Sequence, residues 1–77
     1  MISIEERLYK AVASVIAVDE AQFVPTASLV NTFNADSFDL VRIAMNIEDE
    51  FTIIIPPDDM SNFRTVQDLL DYVQEKI

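Results

Sequence analysis

The chain contains no cysteine, no histidine, no glycine and no tryptophan. Without cysteine there is no disulfide, no thiol nucleophile and no thiolate metal site, and without histidine most remaining zinc and iron sites are excluded. The missing histidine also bears on serine chemistry. A nucleophilic serine needs a neighbouring base, and histidine is the usual one. A functional serine here is therefore read as a hydroxyl that another protein modifies. The missing glycine leaves helix ends without the residue that most easily adopts a left-handed conformation, so asparagine becomes the next choice, with Asn31, Asn34 and Asn62 as candidates and Asn34 first among them.

Positive charge is also scarce: 14 acidic residues against 5 basic ones give a formal net charge of -9. Such a surface repels nucleic-acid phosphates and anionic membranes and attracts proteins with Lys/Arg patches. No run of about 18 apolar residues is present, and the N-terminus lacks a basic segment followed by an apolar one, which predicts a soluble, unexported, cytoplasmic protein with no membrane insertion. The length of 77 residues predicts a single domain over residues 1–77, and 51% hydrophobic composition is enough for a thin core. A monomer is expected.

The periodicity predicts an all-α fold, a small four-helix bundle of three main helices and one short one. Ser3 and Glu6 carry a capping-box signature, in which cap and third-residue side chains satisfy otherwise unpaired backbone donors. Ile4, Leu8, Ala11, Val12, Val15 and Ile16 then form the stripe of the first helix. A long connection follows, from about Val18 to Ala35, with a turn at Pro25-Thr26, a helical turn within Leu29 to Phe33, and Phe23, Val24, Leu29, Val30 and Phe33 pinning it over the core. The second helix starts at Ser37, with Asp36 as N-cap and Asp39 at the third position, both favoured by the helix dipole. It runs to about Phe51. Ile53, Ile54 and Ile55 have strand character, yet no second strand pattern exists to pair with them, and a lone strand is unstable. A short helix is expected near Asp59 to Asn62. Thr65 and Asp68 repeat the capping pattern for a last helix, with Val66, Leu69, Leu70 and Val73 inside and Tyr72 flanking.

The second helix has two apolar stripes. At 100° per residue, Leu40, Ile43, Ala44, Ile47 and Phe51 fall together as an ordinary core face, while Phe38, Val41 and Met45 lie on another side. Glu48 and Asp49 surround the second group, with Asp39 and Glu50 flanking it. A soluble helix needs only one apolar stripe, so the second reads as a docking surface: apolar area for contact, acids to steer a basic partner, and a methionine that repacks against different partners.

The run from Asn34 to Pro56, N-A-D-S-F-D-L-V-R-I-A-M-N-I-E-D-E-F followed by I-I-P, resembles the central region of acyl carrier proteins. Their pattern is G-x-D-S-L, then an amphipathic helix with a methionine, an acidic cluster and a phenylalanine before an I-P turn. The likeness covers the whole chain, including E-E-R near the start and T-V-Q-D-L-L-D-Y near the end. It implies a non-enzymatic carrier. Ser37 would receive a 4′-phosphopantetheine arm from coenzyme A through a separate phosphopantetheinyl transferase, with Asp36 helping to hold the transferase's Mg²⁺. Acyl groups would ride as thioesters on the arm, for delivery to fatty-acid, polyketide or related acyl-transfer enzymes with basic docking patches. It implies partner-binding roles for Phe38, Asp39, Val41, Arg42, Met45, Glu48 and Asp49. It also implies an acyl pocket at Val30, Ile47, Ile55, Met60, Phe63 and Leu69.

The chain departs from the pattern at three places. Phe38 replaces leucine, Asn34 replaces glycine, and Arg42 stands where relatives often carry an acid. A peptidyl carrier fits less well, because its motif resembles G-G-x-S with no Asp before the serine; a D-alanyl carrier stays open. From another class, the same residues describe an acidic helical protein-binding adaptor with no prosthetic group.

Overall fold

The structure, a computed structural model, describes residues 3–77. Four α-helices form: α1 (Ile4–Ala13), α2 (Ser37–Phe51), α3 (Pro57–Met60) and α4 (Val66–Lys76). This is the expected all-α bundle with a long connection between its first two helices. Among the described residues there is no strand, only an isolated antiparallel bridge between Ser28 and Thr65.

Each main helix begins where its capping residue predicts. The Ser3 hydroxyl accepts the Glu6 N–H at 3.2 Å, so one arm of the first capping box is formed. Asp36 and Asp39 make a complete box, as do Thr65 and Asp68. Helix ends follow their sequence signals less closely. α1 stops at Ala13, short of the expected stripe, because the Ser14 hydroxyl and the Asn46 amide of α2 both donate to the Ala11 carbonyl. Val15 and Ile16 then pack on the core from outside the helix. α3 starts at Pro57, two residues earlier than expected, since proline's fixed φ and missing N–H suit a first helical position. Asp58 and Asp59 occupy its first turn.

Among the described residues the left-handed positions are Asn34 (φ 58°) and Thr52 (φ 55°). Asn34 is as expected, but Asn31 and Asn62 are not used, and Thr52 takes the position that terminates α2. The Thr52 and Ile53 amides both reach back to the Glu48 carbonyl, so a left-handed residue closes the helix end.

The long loop is ordered by backbone pairing to α4. Leu29 N–H donates to the Arg64 carbonyl, while the first two amides of α4, Val66 and Gln67, donate to the carbonyls of Ala27 and Pro25. The loop thus satisfies donors that a helix start leaves unpaired. Leu29 is fully buried and Phe33 nearly so, and burial of a leucine contributes about 2 kcal/mol. Phe23 stacks on Phe33 and meets Tyr9 edge-on. Val24 and Val30, expected as further pins, are instead largely exposed. Pro25-Thr26 form the predicted turn, closed by Ala27 N–H to the Val24 carbonyl. The helical turn within Leu29 to Phe33 is closed by Thr32 N–H on the Ser28 carbonyl, and a separate 3-10 turn at Glu20–Gln22 was not anticipated.

The core gathers Leu8 and Val12 of α1, Ile43 and Ile47 of α2, and Val66, Leu69 and Val73 of α4. No helix is long and apolar enough to cross a membrane among the described residues.

Candidate functional site

Ser37 is the first residue of α2 and is exposed. Its position follows from Asp36, whose extended backbone and carboxylate start the helix: Asp36 Oδ1 accepts the Asp39 N–H at 2.8 Å, and Asp39 Oδ2 accepts the Asp36 N–H at 3.2 Å. Asn34, left-handed two residues before the cap, turns the chain into that start. Among the described residues, the Ser37 hydroxyl makes no hydrogen bond. Every other serine hydroxyl is engaged: Ser3 accepts from Glu6, Ser28 accepts from Asn31, Ser61 donates to Asp58, and Ser14 bonds Ala11 and Asn46. The amides of Ser37 and Phe38 likewise bond no acceptor among the described residues. An exposed hydroxyl beside free N–H groups at the positive end of a helix dipole suits attachment of a phosphate ester.

The two stripes of α2 separate as the periodicity predicts. Ile43, Ala44, Ile47 and Phe51 are buried, and Leu40 packs against them. Phe38 is 79% exposed, Met45 56% and Val41 44%. These three present apolar area that no element covers among the described residues, on the helix that the serine starts. The acids around them differ in kind. Asp49 is exposed, whereas Asp39 is half-buried in the capping box and Glu48, also half-buried, accepts the Ile55 N–H at 2.8 Å. Glu50 pairs with Arg7, whose Nε lies 2.9 Å from Glu50 Oε2 and whose Nη2 donates to the Glu50 carbonyl. The expected acidic ring therefore includes residues that hold the fold together. Arg42 is exposed and makes no ion pair among the described residues, and its i-3 neighbour Asp39 turns one carboxylate oxygen to the cap.

The six residues expected to line an acyl pocket are not all brought together. Ile47, Ile55, Phe63 and Leu69 belong to the buried cluster and Met60 packs against it, but Val30 is half exposed. Val30 falls outward because Leu29, its neighbour, takes the inward position in that turn. Sequence reasoning missed Ile54, 80% exposed on the connector after α2; in a run of three isoleucines, periodicity could not tell which one faces solvent. It also missed that α1 meets α2 through Asn46, whose amide donates to the Ala11 carbonyl at 3.2 Å and to the Ser14 hydroxyl at 2.6 Å.

Comparison with known proteins agrees with this geometry. The family model described as "Phosphopantetheine attachment site" matches residues 6–73. A protein from Thermosynechococcus vestitus named "Acyl carrier protein" is 39% identical over 72 residues, covering 94% of this chain and 89% of its own length. The chain therefore belongs to the acyl carrier protein family, as a carrier of covalently attached 4′-phosphopantetheine and not an enzyme.

Proposed function

We propose that Ser37 is the attachment residue and that α2 is the helix by which acyl-processing enzymes recognise the protein. The observation that supports this most is the state of the serines: Ser37 alone has a hydroxyl uncommitted among the described residues, and it stands at the start of the helix with the uncovered apolar stripe. The bound group supplies the thiol that the sequence lacks, on which acyl groups ride as thioesters. The chain's own part is to present the hydroxyl, orient the attachment point with the Asp36 cap, and offer Phe38, Val41 and Met45 for docking. In this reading residues 1–77 form one monomeric carrier domain. Asp36 keeps a second carboxylate oxygen outside the cap, available to the transferase's Mg²⁺.

Acyl transfer in fatty-acid or polyketide synthesis fits the reading. So does a related pathway. The buried side chains of Ile47, Ile55, Phe63 and Leu69, with Met60 at the edge, are the candidate walls for a sequestered acyl chain, which would have to separate them. Each buried methylene would contribute about 0.8 kcal/mol toward that opening. The test is to incubate the protein with coenzyme A, Mg²⁺ and a broad-specificity phosphopantetheinyl transferase and to take an intact mass. One added arm is expected. An unchanged mass, the same as for Ser37→Ala, would leave the adaptor without prosthetic group as the better description.

A further inference from the structure

Val15, Arg42, Met45 and Asn46 line a shallow cleft between α2 and the segment that leaves α1. Val15 is half-buried and Met45 exposed, so the cleft offers aliphatic surface with a guanidinium beside it. Among the described residues that guanidinium has no hydrogen-bond or ion-pair partner. Asp39 forms no ion pair with it and holds the cap through Oδ2, and Asn46 gives its amide hydrogens to Ala11 and Ser14. In a chain of net charge -9, a lone unpaired cation on the docking helix is a specific element, because it repels what the rest of the surface attracts.

We infer that this cleft receives an acidic side chain of a docking protein, with its carboxylate on Arg42 and its methylenes against Val15 and Met45, and that Arg42 thereby disfavours partners whose docking face is uniformly basic. A carboxylate matches the planar guanidinium in a two-bond geometry. A phosphate would call for several donors, and the other polar side chain lining the cleft, Asn46, has its amide hydrogens already committed. The contact surface accordingly reaches from α2 onto the segment that leaves α1, and the partner's face is a basic field with one carboxylate in it. This inference rests on the reading of α2 as the docking helix of a loaded carrier.

The test uses arm transfer to the full chain by the broad-specificity transferase, with kcat/KM as the readout. Arg42→Glu is expected to raise kcat/KM about three- to tenfold, Arg42→Gln by less, and Arg64→Glu, an equal charge change on another element, by no more than about twofold. In parallel, each lysine and arginine bordering the transferase's active site is replaced by glutamate. At least one such variant should prefer Arg42 over Arg42→Glu, reversing the wild-type order. Equal effects of Arg42→Glu and Arg64→Glu, with no reversing partner variant, would overturn the inference while leaving the carrier reading in place. Absence of arm transfer in every variant would overturn both.

Discussion

The Glu48 carboxylate of α2 accepts the backbone N–H of Ile55 at 2.8 Å and so anchors the connector to α3. The bond spans the left-handed turn at Thr52 and holds Ile55 in the core. A hydrogen bond to a charged group contributes about 1.5–3 kcal/mol, less where water has access. Glu48→Ala should cost about 1–2 kcal/mol in a denaturant melt, with Glu48→Gln costing less because an acceptor oxygen remains. Asp49→Ala, one residue on and exposed, should stay within about 0.5 kcal/mol of wild type. Equal stability of Glu48→Ala and Asp49→Ala would show that the anchor contributes nothing.

Thr52 carries a strain that the chain's lack of glycine leaves in place. A left-handed conformation costs an ordinary L-residue about 1–2 kcal/mol, and β-branching does not relieve it. Glycine removes that cost but loosens the unfolded chain by about 0.4–1 kcal/mol. Thr52→Gly should therefore raise stability by about 0.5–1 kcal/mol, a few degrees in melting temperature for a domain this small. Asn34→Ala should lower it, since alanine lacks asparagine's tolerance of the same region. A drop in melting temperature for Thr52→Gly would contradict this account of the turn.

Arg7 joins α1 to the end of α2 in three ways: an ion pair with Glu50, a bond to the Glu50 carbonyl, and a position 4.5 Å from the Phe51 ring centroid. The ion pair is solvent-accessible and contributes little by itself. The carbonyl bond caps a helix end. Arg7→Ala should thus cost about 1–2 kcal/mol and Glu50→Ala less than about 0.5 kcal/mol. Arg7→Lys should recover only part of the loss, because a single ammonium cannot reproduce the fork. Equal losses for Arg7→Ala and Glu50→Ala would assign the effect to the ion pair instead.

Tyr72 ties α4 to α3 by donating its hydroxyl proton to Asp59 Oδ2 at 2.8 Å. Partial burial, and then the Asp59 carboxylate, push its pKa up from 10.0 to about 12. The folded state holds the phenolic proton more tightly than the unfolded chain does. The resulting stability is fully present below pH 10 and is lost as the pH rises toward 12. A 13C titration of the tyrosine ring should show Tyr72 titrating late, and Asp59→Asn should move it toward 10 without reaching it, because burial persists. Titration near 10 in the wild type would remove the α3 to α4 tie from the account.

Features read correctly from sequence are those set by neighbours along the chain. Asp36 and Thr65 start helices through bonds to residues three positions on, and the two stripes of α2 follow from its period. Most features missed depend on distant residues. The end of α1 meets Asn46, and the start of α4 is completed by carbonyls of Ala27 and Pro25. The turn at Thr52 is local, held by Glu48 and Ile55, but threonine gives no signal for a left-handed position. The same division runs along α2. The exposed positions of Ser37, Phe38, Val41 and Met45 were legible, whereas the bond from Ile55 to Glu48 and the outward position of Val30 depend on how loop and helices meet.

The central claim is that Ser37, whose hydroxyl stands apart from those of Ser3, Ser14, Ser28 and Ser61, carries the prosthetic group. The most direct measurement is peptide fragmentation by mass spectrometry after incubation with coenzyme A, Mg²⁺ and the transferase. The account predicts a single arm on the peptide containing Asp36-Ser37-Phe38, localised to Ser37, and none on a folded Ser37→Ala protein. An arm on another serine, or no arm on the wild-type protein, would contradict it.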